Sequence, residues 1–277
     1  MCRLFGLLAT GELSPAGWLL RSENSLLRQS NINPAHLQQD GWGIAWWKNG
    51  RPEVVKGAGG AHALSERPHF EAAAEHARGP MVIAHLRKAS NPMKLSRGEI
   101  IGLANSQPYS HGTHLFAHNG SIPLPQATRP YLGTYANSLL GVNDSEVLFY
   151  LLLASIDAEH DPLQGYGRTV RTLGEVWQKN GHPGRFPYSG LNVLFSRSPD
   201  ELWAFCHYTG EHGKSVGGPD LPYYQMTYRE APGNVVVASE PMDWSRTGWH
   251  PLVNGTYLHA TRKNGQVRVE TGRIPLP

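Results

Sequence analysis

The chain has 277 residues, with 25 Lys and Arg against 22 Asp and Glu, a formal net charge of +3. This near balance predicts neither a nucleic-acid partner nor an anionic membrane surface as partner. The longest apolar run, 147–156, is too short to span a bilayer, and the first residues lack the pattern of a secretory signal. Two cysteines, Cys2 and Cys206, exclude a disulfide scaffold and predict a cytoplasmic protein.

The first half of the chain predicts alternating strands and helices. An apolar strand is expected over 2–9, at the very start, and Ser14-Pro15 predicts a helix of roughly three or four turns after it. Asn49-Gly50 between two apolar runs predicts a β-hairpin. A helix follows over 66–78, and strands are predicted over two further segments, 81–87 and 114–117.

The second half predicts two helices and then a strand-rich region. Asn143 to Glu146 has the spacing of a capping box before a helix over 147–156, and a second helix is expected over 166–180. Six strands are predicted after them, over 191–196, 202–208, 223–229, 235–238, 255–260 and 266–270. Strands at both ends with helices between them indicate an α+β fold of two sheets covered by helices, in a single domain over 2–277.

Cys2 is the first residue that points to chemistry. Removal of Met1, which occurs when the second residue is small, would place a thiol and an α-amine on one residue. The amine has an ordinary pKa of about 7.7 to 8.0, so its neutral form can take the thiol proton near pH 7. The thiolate is the competent nucleophile. The alternative is a small hydrophobic residue at the start of a strand.

Three further polar positions each allow two interpretations. Arg87, at the end of a predicted strand, either binds a carboxylate through two hydrogen bonds or pairs with a nearby Asp. Asn119 and Gly120 either form an oxyanion hole or make an ordinary turn. Asp144 either holds an ammonium group or caps the helix that follows.

One group of histidines is a candidate metal site. His111, His114 and His118 lie close together in the sequence. Their spacing matches neither a helical pair of histidines nor a zinc finger, and no cysteine accompanies them. The sequence therefore predicts no metal and no cofactor.

Several segments, in their order and spacing, resemble the class II glutamine amidotransferases of the N-terminal nucleophile hydrolase superfamily. The resemblance spans roughly residues 2 to 260 and is closest to the short stand-alone γ-glutamyl amidohydrolases, which Val237 to Pro241 also resembles. The segments that carry it are Met1 to Gly6, Asp40 to Ile44, Ala84 to Arg87, Asn105 to Pro108, Phe116 to Gly120 and Asn143 to Glu146.

The resemblance implies a four-layer αββα sandwich and a set of residue roles. Two positions depart from the family pattern: Lys88 stands where well-known members have Trp, and Gln107 where the family often has His. Both departures concern the shape of the substrate more than the chemistry. The implied roles are Cys2 as nucleophile with its α-amine as base, Asn119 and Gly120 as oxyanion hole, Arg87 for the glutamyl α-carboxylate, Asp144 for the α-ammonium, and Ser90 as a hydroxyl near the glutamyl carboxylate.

These roles imply an amidohydrolase that cleaves the γ-glutamyl amide bond of glutamine or a γ-glutamyl compound through a thioester on Cys2. One alternative is a glutaminase subunit that delivers ammonia to a separate synthetase. Another is a non-catalytic relative that binds amino acids. The expected partners are the small-molecule substrate and either such a synthetase or further copies of the chain, with no nucleic acid and no membrane.

Overall fold

Antiparallel strands form the centre of the fold. The computed structural model describes residues 2–182, 184, 188–209, 214–215 and 218–276. Within these ranges the strands are β1 (Arg3–Leu13), β2 (Trp42–Lys48), β3 (Arg51–Gly57), β4 (Gly79–Leu86), β5 (Tyr109–His111), β6 (His114–Gly120), β7 (Leu191–Ser196), β8 (Glu201–Cys206), β9 (Lys214–Ser215), β10 (Gly218–Pro222), β11 (Met226–Ala231), β12 (Asn234–Ala238), β13 (His250–Leu252), β14 (Thr256–Lys263) and β15 (Gln266–Arg273).

These strands form two large sheets and one small pair. The first sheet has the order β13-β11-β12-β1-β4-β2-β3, and the second has the order β15-β14-β8-β7-β6-β5. Strands β9 and β10 pair with each other. Strand β1 lies in the middle of the first sheet, between β12 and β4, and β6 is next to the edge of the second.

Helices cover the outer faces of the two sheets. The three long ones are α1 (Arg67–His76), α2 (Asp144–Glu159) and α3 (Pro162–Lys179). Among the described residues, no helix is long and apolar enough to cross a membrane. The remaining helical segments are the kinked Arg129–Ser138, which has ten residues like α1, and the shorter Gly17–Arg21, Leu26–Gln29, Pro34–His36, Arg97–Ile100, Leu103–Asn105 and Pro125–Thr128.

The side chains of β1 show how the layers are held together. Phe5 and Leu7 pack toward α1 and the first helical turns, while Leu4 and Leu8 pack between the two sheets. This alternation follows from the two-residue period of a strand, and burial on both faces explains the apolar run from Leu4 to Ala9. A Cβ on Gly6 would lie 3.1 Å from the side chain of Leu194 in the other sheet, so glycine permits this close packing.

The predicted four-layer αββα sandwich is confirmed by three buried clusters. One lies between the first sheet and its helices and includes Trp42 and Phe70. A second lies between the two sheets and includes Leu194. The third lies between the second sheet and helices α2 and α3 and includes Phe149 and Phe195.

The hairpin prediction at Asn49-Gly50 is confirmed, since Lys48 pairs with Arg51. Asn49 and Gly50 both have positive φ, 50° and 74°. A type I′ turn requires positive φ at both central residues, which explains this dipeptide.

The predicted helix after Ser14-Pro15 is wrong in its length. The chain forms a turn of π-helix over Gly17–Arg21, breaks, and then forms a short α-helix that Ser25 caps. The break coincides with a tertiary contact, because the buried Asn24 side chain donates to the carbonyl of Pro241 at 2.7 Å. A contact distant in sequence therefore overrides the local helical pattern.

The capping box predicted at 143–146 is formed only in part. Asn143 does cap α2, since its side chain accepts from the N–H of Ser145 at 3.1 Å. Glu146 instead accepts from the N–H groups of Leu140 and Gly141, at 2.9 and 2.8 Å. Its carboxylate therefore holds the preceding loop, not the first turn of the helix.

Other predicted boundaries need smaller corrections. The strand expected over 223–229 begins at Met226, and the strands β5 and β13 and the short helices between 97 and 138 are absent from the prediction. Each missed element has fewer residues than a period-based pattern needs, except the kinked segment Arg129–Ser138.

Leu194→Ala should lower the free energy of unfolding by about 2 to 5 kcal/mol, because it leaves a cavity between the two sheets. Leu64→Ala is the matched control, since Leu64 is 94% exposed. It should change stability by no more than about 0.5 kcal/mol. Urea denaturation followed by tryptophan fluorescence measures both. Equal effects of the two substitutions on stability would contradict the placement of Leu194 between the two sheets.

Candidate active site

Cys2 lies immediately before β1, at a point where the two sheets meet. Its side chain and backbone are buried, with 6% exposure. The Cys2 backbone nitrogen donates to Oδ1 of Asn119 at 3.0 Å, and the thiol is 3.5 Å from the carbonyl oxygen of Lys88. The residue that the sequence singled out as a nucleophile therefore lies between the ends of β4 and β6.

The surroundings of the thiol raise its pKa. Burial raises the pKa of Cys2, the cationic Arg87 lowers it, and the carboxylate of Asp144 raises it again. The net shift is upward, because removal from water disfavours the thiolate. A reaction at this thiol therefore needs a base within its reach.

Arg87 follows β4 directly and is 2% exposed. Its Nη1 donates to the carbonyl oxygens of Asp40 and Ile100, at 3.0 and 2.9 Å. The alternative of an Arg87–Asp pair does not match the hydrogen bonds described, because the Asp40 carboxylate bonds to Arg97 at 2.9 Å and to the N–H of Ala89 at 2.9 Å. Carbonyl oxygens orient the guanidinium without neutralising its charge.

A hydrogen bond brings Asp144 and Ser90 together. The hydroxyl of Ser90 donates to Oδ1 of Asp144 at 3.1 Å, and the N–H of Ile122 donates to Oδ2 at 2.8 Å. Because Asn143 caps α2, the carboxylate of Asp144 is not the helix cap. The capping interpretation of Asp144 is therefore wrong.

Asn119 and Gly120 end strand β6 and pair with Asn192 and Leu191 of β7, so they do not form the ordinary turn that was the alternative. A Cβ on Gly120 would lie 1.7 Å from the carbonyl oxygen of Gly190. Only glycine allows the two backbones to approach this closely.

His118 links this strand to α2, which sequence reasoning did not foresee. Its Nδ1 is 2.9 Å from the hydroxyl of Ser145, and its Nε2 is 3.1 Å from the carbonyl oxygen of Gly190. Burial lowers the pKa of His118, although Asp144 raises it. Its backbone N–H donates to Gln107 at 2.6 Å. Its position next to Asn119 was the only sign in the sequence that His118 belongs to the site. The sequence analysis considered His118 only as a possible metal ligand.

The histidines His111, His114 and His118 do not point to one common site. His114 is 3.1 Å from the carbonyl of His111 through its Nδ1, while His118 is engaged on the other side by α2 and Gly190. In the part of the chain that the structure describes, no group of three or more His, Cys, Asp or Glu residues could hold a metal ion.

A family model for class II glutamine amidotransferases matches residues 1–271, nearly the whole chain. The chain belongs to the class II glutamine amidotransferases. The comparison with curated proteins finds no match.

Solved structures with the same fold include other amidotransferases. A protein from Silicibacter pomeroyi described as a "glutamine aminotransferase class-II domain protein" is 19% identical, with a TM-score of 0.66 and 100% of both chains covered. The glutamine PRPP amidotransferase of B. subtilis is 16% identical with a TM-score of 0.57, and this chain, 99% of which is covered, spans 49% of its length. A predicted glutamine amidotransferase from Pseudomonas aeruginosa is 20% identical with a TM-score of 0.50, covering 97% and 100%. At these identities the likeness shows the fold alone.

Gly120→Ala should destabilise the protein by about 3 kcal/mol, because the new Cβ would push β6 away from the chain at Gly190. Gly174→Ala in α3 is the control, since nothing lies within 4 Å of its added Cβ. That change should raise stability by up to about 1 kcal/mol. Thermal unfolding followed by circular dichroism compares the two. A Gly120→Ala protein as stable as the wild type would contradict the close approach of the backbones at Gly120 and Gly190.

Proposed function

We propose that the protein hydrolyses the γ-glutamyl amide bond of glutamine or a γ-glutamyl compound, with Cys2 as nucleophile once Met1 has been removed. The observation that carries the proposal is the position of Cys2, with its nitrogen 3.0 Å from Asn119 and its thiol beside the Arg87-Lys88 segment. Family membership supports a glutamine substrate. We also propose that residues 2–277 act as one domain in the cytoplasm.

The glutamyl end of the substrate is assigned to the polar groups beside Cys2. Arg87 presents a buried guanidinium whose planar fork suits the α-carboxylate. The carboxylate of Asp144 is the matching acceptor for the α-ammonium, and Ser90 holds that carboxylate in place through a bond of 3.1 Å. Opposite charges on the two ends of an amino acid thus meet opposite charges on the protein.

The chemistry begins with the free α-amine of the mature Cys2. In its neutral form it takes the thiol proton, directly or through one water, and the thiolate attacks the γ-carbonyl carbon. The tetrahedral intermediate collapses as the C–N bond breaks and the leaving amine receives the proton. Water activated by the same amine then hydrolyses the γ-glutamyl thioester and releases glutamate.

The oxyanion of each tetrahedral intermediate is assigned to Asn119 and Gly120. Because Oδ1 of Asn119 accepts from the Cys2 nitrogen, the amide group is fixed with its Nδ2 on the other branch. That nitrogen and the N–H of Gly120 are the proposed donors to the oxyanion. Donors fixed in advance stabilise charge that develops in the transition state.

Cys2→Ser should reduce turnover of glutamine by several orders of magnitude, because a hydroxyl is a much weaker nucleophile than a thiolate. Serine is small enough for removal of Met1 to continue, which intact mass spectrometry verifies. Cys206→Ser is the control and should keep turnover, since Cys206 is fully buried and burial raises its pKa to about 12. The release of glutamate from glutamine is measured for both variants and the wild type.

The same pair of cysteines tests the nucleophile by labelling. The glutamine-like electrophile 6-diazo-5-oxo-norleucine should add to Cys2 and leave Cys206 unmodified in a peptide map. Near-normal turnover by Cys2→Ser, or label on Cys206 alone, would overturn the proposed mechanism.

Asn119→Ala and Arg87→Lys should separate transition-state stabilisation from substrate binding. Loss of one oxyanion donor costs about 2.7 to 4 kcal/mol of barrier, so Asn119→Ala should lower kcat about a hundred- to thousandfold with little change in KM. Arg87→Lys keeps the charge but loses the planar fork, so it should raise KM. Steady-state kinetics on glutamine measures both. The two proposed roles would be reversed if Asn119→Ala changed KM alone and Arg87→Lys changed kcat alone.

A further inference from the structure

The carbonyl oxygen of Cys2 is held by the side chain of the residue that follows it. Arg3 donates from Nη1 to this oxygen at 3.2 Å, and its Nη2 forms an ion pair with Oε1 of Glu240 at 3.0 Å. Both charged side chains are almost fully buried, at 2% and 3% exposure. The planar guanidinium thus spans two acceptors, and its bond to Glu240 fixes the direction in which the other nitrogen points.

Glu240 stands on a segment that extends strand β12 alongside the start of β1. The hydroxyl of Ser239 accepts from the N–H of Leu4 at 2.9 Å, and the N–H of Ser239 donates to the Leu4 carbonyl at 3.0 Å. The segment is anchored from its other side by Asn24, whose buried side chain donates to the carbonyl of Pro241 at 2.7 Å. The backbone that carries Glu240 is therefore fixed on both sides.

The position of Arg3 separates it from the groups assigned to the glutamyl end. By the two-residue period of β1, Arg3 shares a face with Phe5, which packs toward the helices, whereas Leu4 faces the second sheet. The hydrogen bonds described for Arg87 and Asp144 do not involve Arg3. Arg3 can therefore act on the reaction through the backbone of Cys2 and not through the glutamyl group.

Removal of Met1 would leave Cys2 attached to the chain on one side only. Cys2 lies outside the strand ladder, which begins with the pair of Arg3 and Leu86, and terminal residues outside regular structure are normally mobile. Its nitrogen bonds to Asn119 and its carbonyl oxygen to Arg3. These two bonds, one at each end of the residue, fix the rotation about its Cα–C bond and with it the direction of the Cα–Cβ bond that carries the thiol.

We propose that Arg3, held in place by Glu240, is a positioning residue that keeps the α-amine and the thiol of the mature Cys2 in the geometry for attack. This inference rests on the proposed function, and it gives a role to the run Val237 to Pro241, which the proposed chemistry does not use. Without the bond to its carbonyl, the terminal residue rotates. Misplacement of a reacting group by about 1 Å can cost about a hundredfold in rate.

The test is a double variant, Arg3→Met with Glu240→Met. Removal of one partner would leave a buried charge unpaired, whereas replacement of a buried ion pair by apolar side chains is often neutral for stability. The kcat for glutamine, per site labelled by 6-diazo-5-oxo-norleucine, should fall about ten- to a hundredfold. The KM should stay within about twofold of the wild type, because the residues assigned to the glutamyl end are unchanged.

All proteins in this test need the same mature N-terminus. Each is made with a leader that a specific protease cuts directly before Cys2, and intact mass spectrometry verifies the cut. The matched control is Arg168→Met with Glu159→Met, which removes an ion pair of 3.1 Å between α3 and the last residue of α2. That residue lies about 22 Å along the helix from Asp144, so the control should keep both kcat and KM.

Arg3→Lys tests the same bond in a protein that keeps the ion pair with Glu240. Lysine presents one nitrogen in place of the fork, so it cannot fill the positions of both Nη1 and Nη2. Its kcat should fall about tenfold or more, again with little change in KM. A merely structural role of the charge pair would leave the kcat of this variant unchanged.

Wild-type kcat per labelled site in either Arg3 variant, or a rise in KM with unchanged kcat, would overturn this inference and leave the amidohydrolase function intact. If the double variant does not fold, Arg3→Lys alone decides the outcome. If the wild type that begins at Cys2 released glutamate neither from glutamine nor from γ-glutamylglycine, the proposed function itself would fail.

Discussion

The hydrogen bond between the Cys2 nitrogen and Oδ1 of Asn119 joins the two sheets at the point where the site is built. Cys2 precedes the central strand of the first sheet, and Asn119 ends a strand of the second. Pairing of β1 with β4 and β12 leaves the position of Cys2 little freedom, since Arg3 is already in register with Leu86. The position of the candidate nucleophile is therefore set by sheet packing and not by a mobile terminus.

Buried carboxylates keep the loops around this point in place. Asp40, Asp144 and Glu240 are each at most 4% exposed and each has a hydrogen-bonding or ionic partner, as a buried charge requires. Asp40 holds the segment that follows Arg87, and Asp144 ties the loop at Ile122 to the start of α2. Removal of any one of them would leave a cation or N–H group unsatisfied in the interior, so these residues contribute to the geometry of the site as well as to stability.

The sequence predicted the layers better than the connections between them. Strands such as β1 and β7 are mostly apolar, and the hairpin at Asn49-Gly50 follows from local φ preferences, so a local pattern predicts both. The break at Asn24 depends on a bond to Pro241, more than two hundred positions away, and no local pattern contains it. The candidate site residues Cys2, Arg87, Asn119 and Asp144 follow from the family resemblance, because each alone also had a structural interpretation, which for Cys2 and Arg87 was the stronger one.

Burial of Cys2 imposes a condition on any chemistry at this site. A thiol with a raised pKa is a poor nucleophile unless a base is close, and the described neighbours of the sulfur are a carbonyl oxygen and the charges of Arg87 and Asp144. Asp144 is committed to Ser90 and Ile122, and Arg87 cannot accept a proton. The proposed α-amine of Cys2 meets the condition, because it stands on the same residue and is held by Asn119. In the proposed mechanism the thiol therefore acquires its base only when the peptide bond between Met1 and Cys2 is cut.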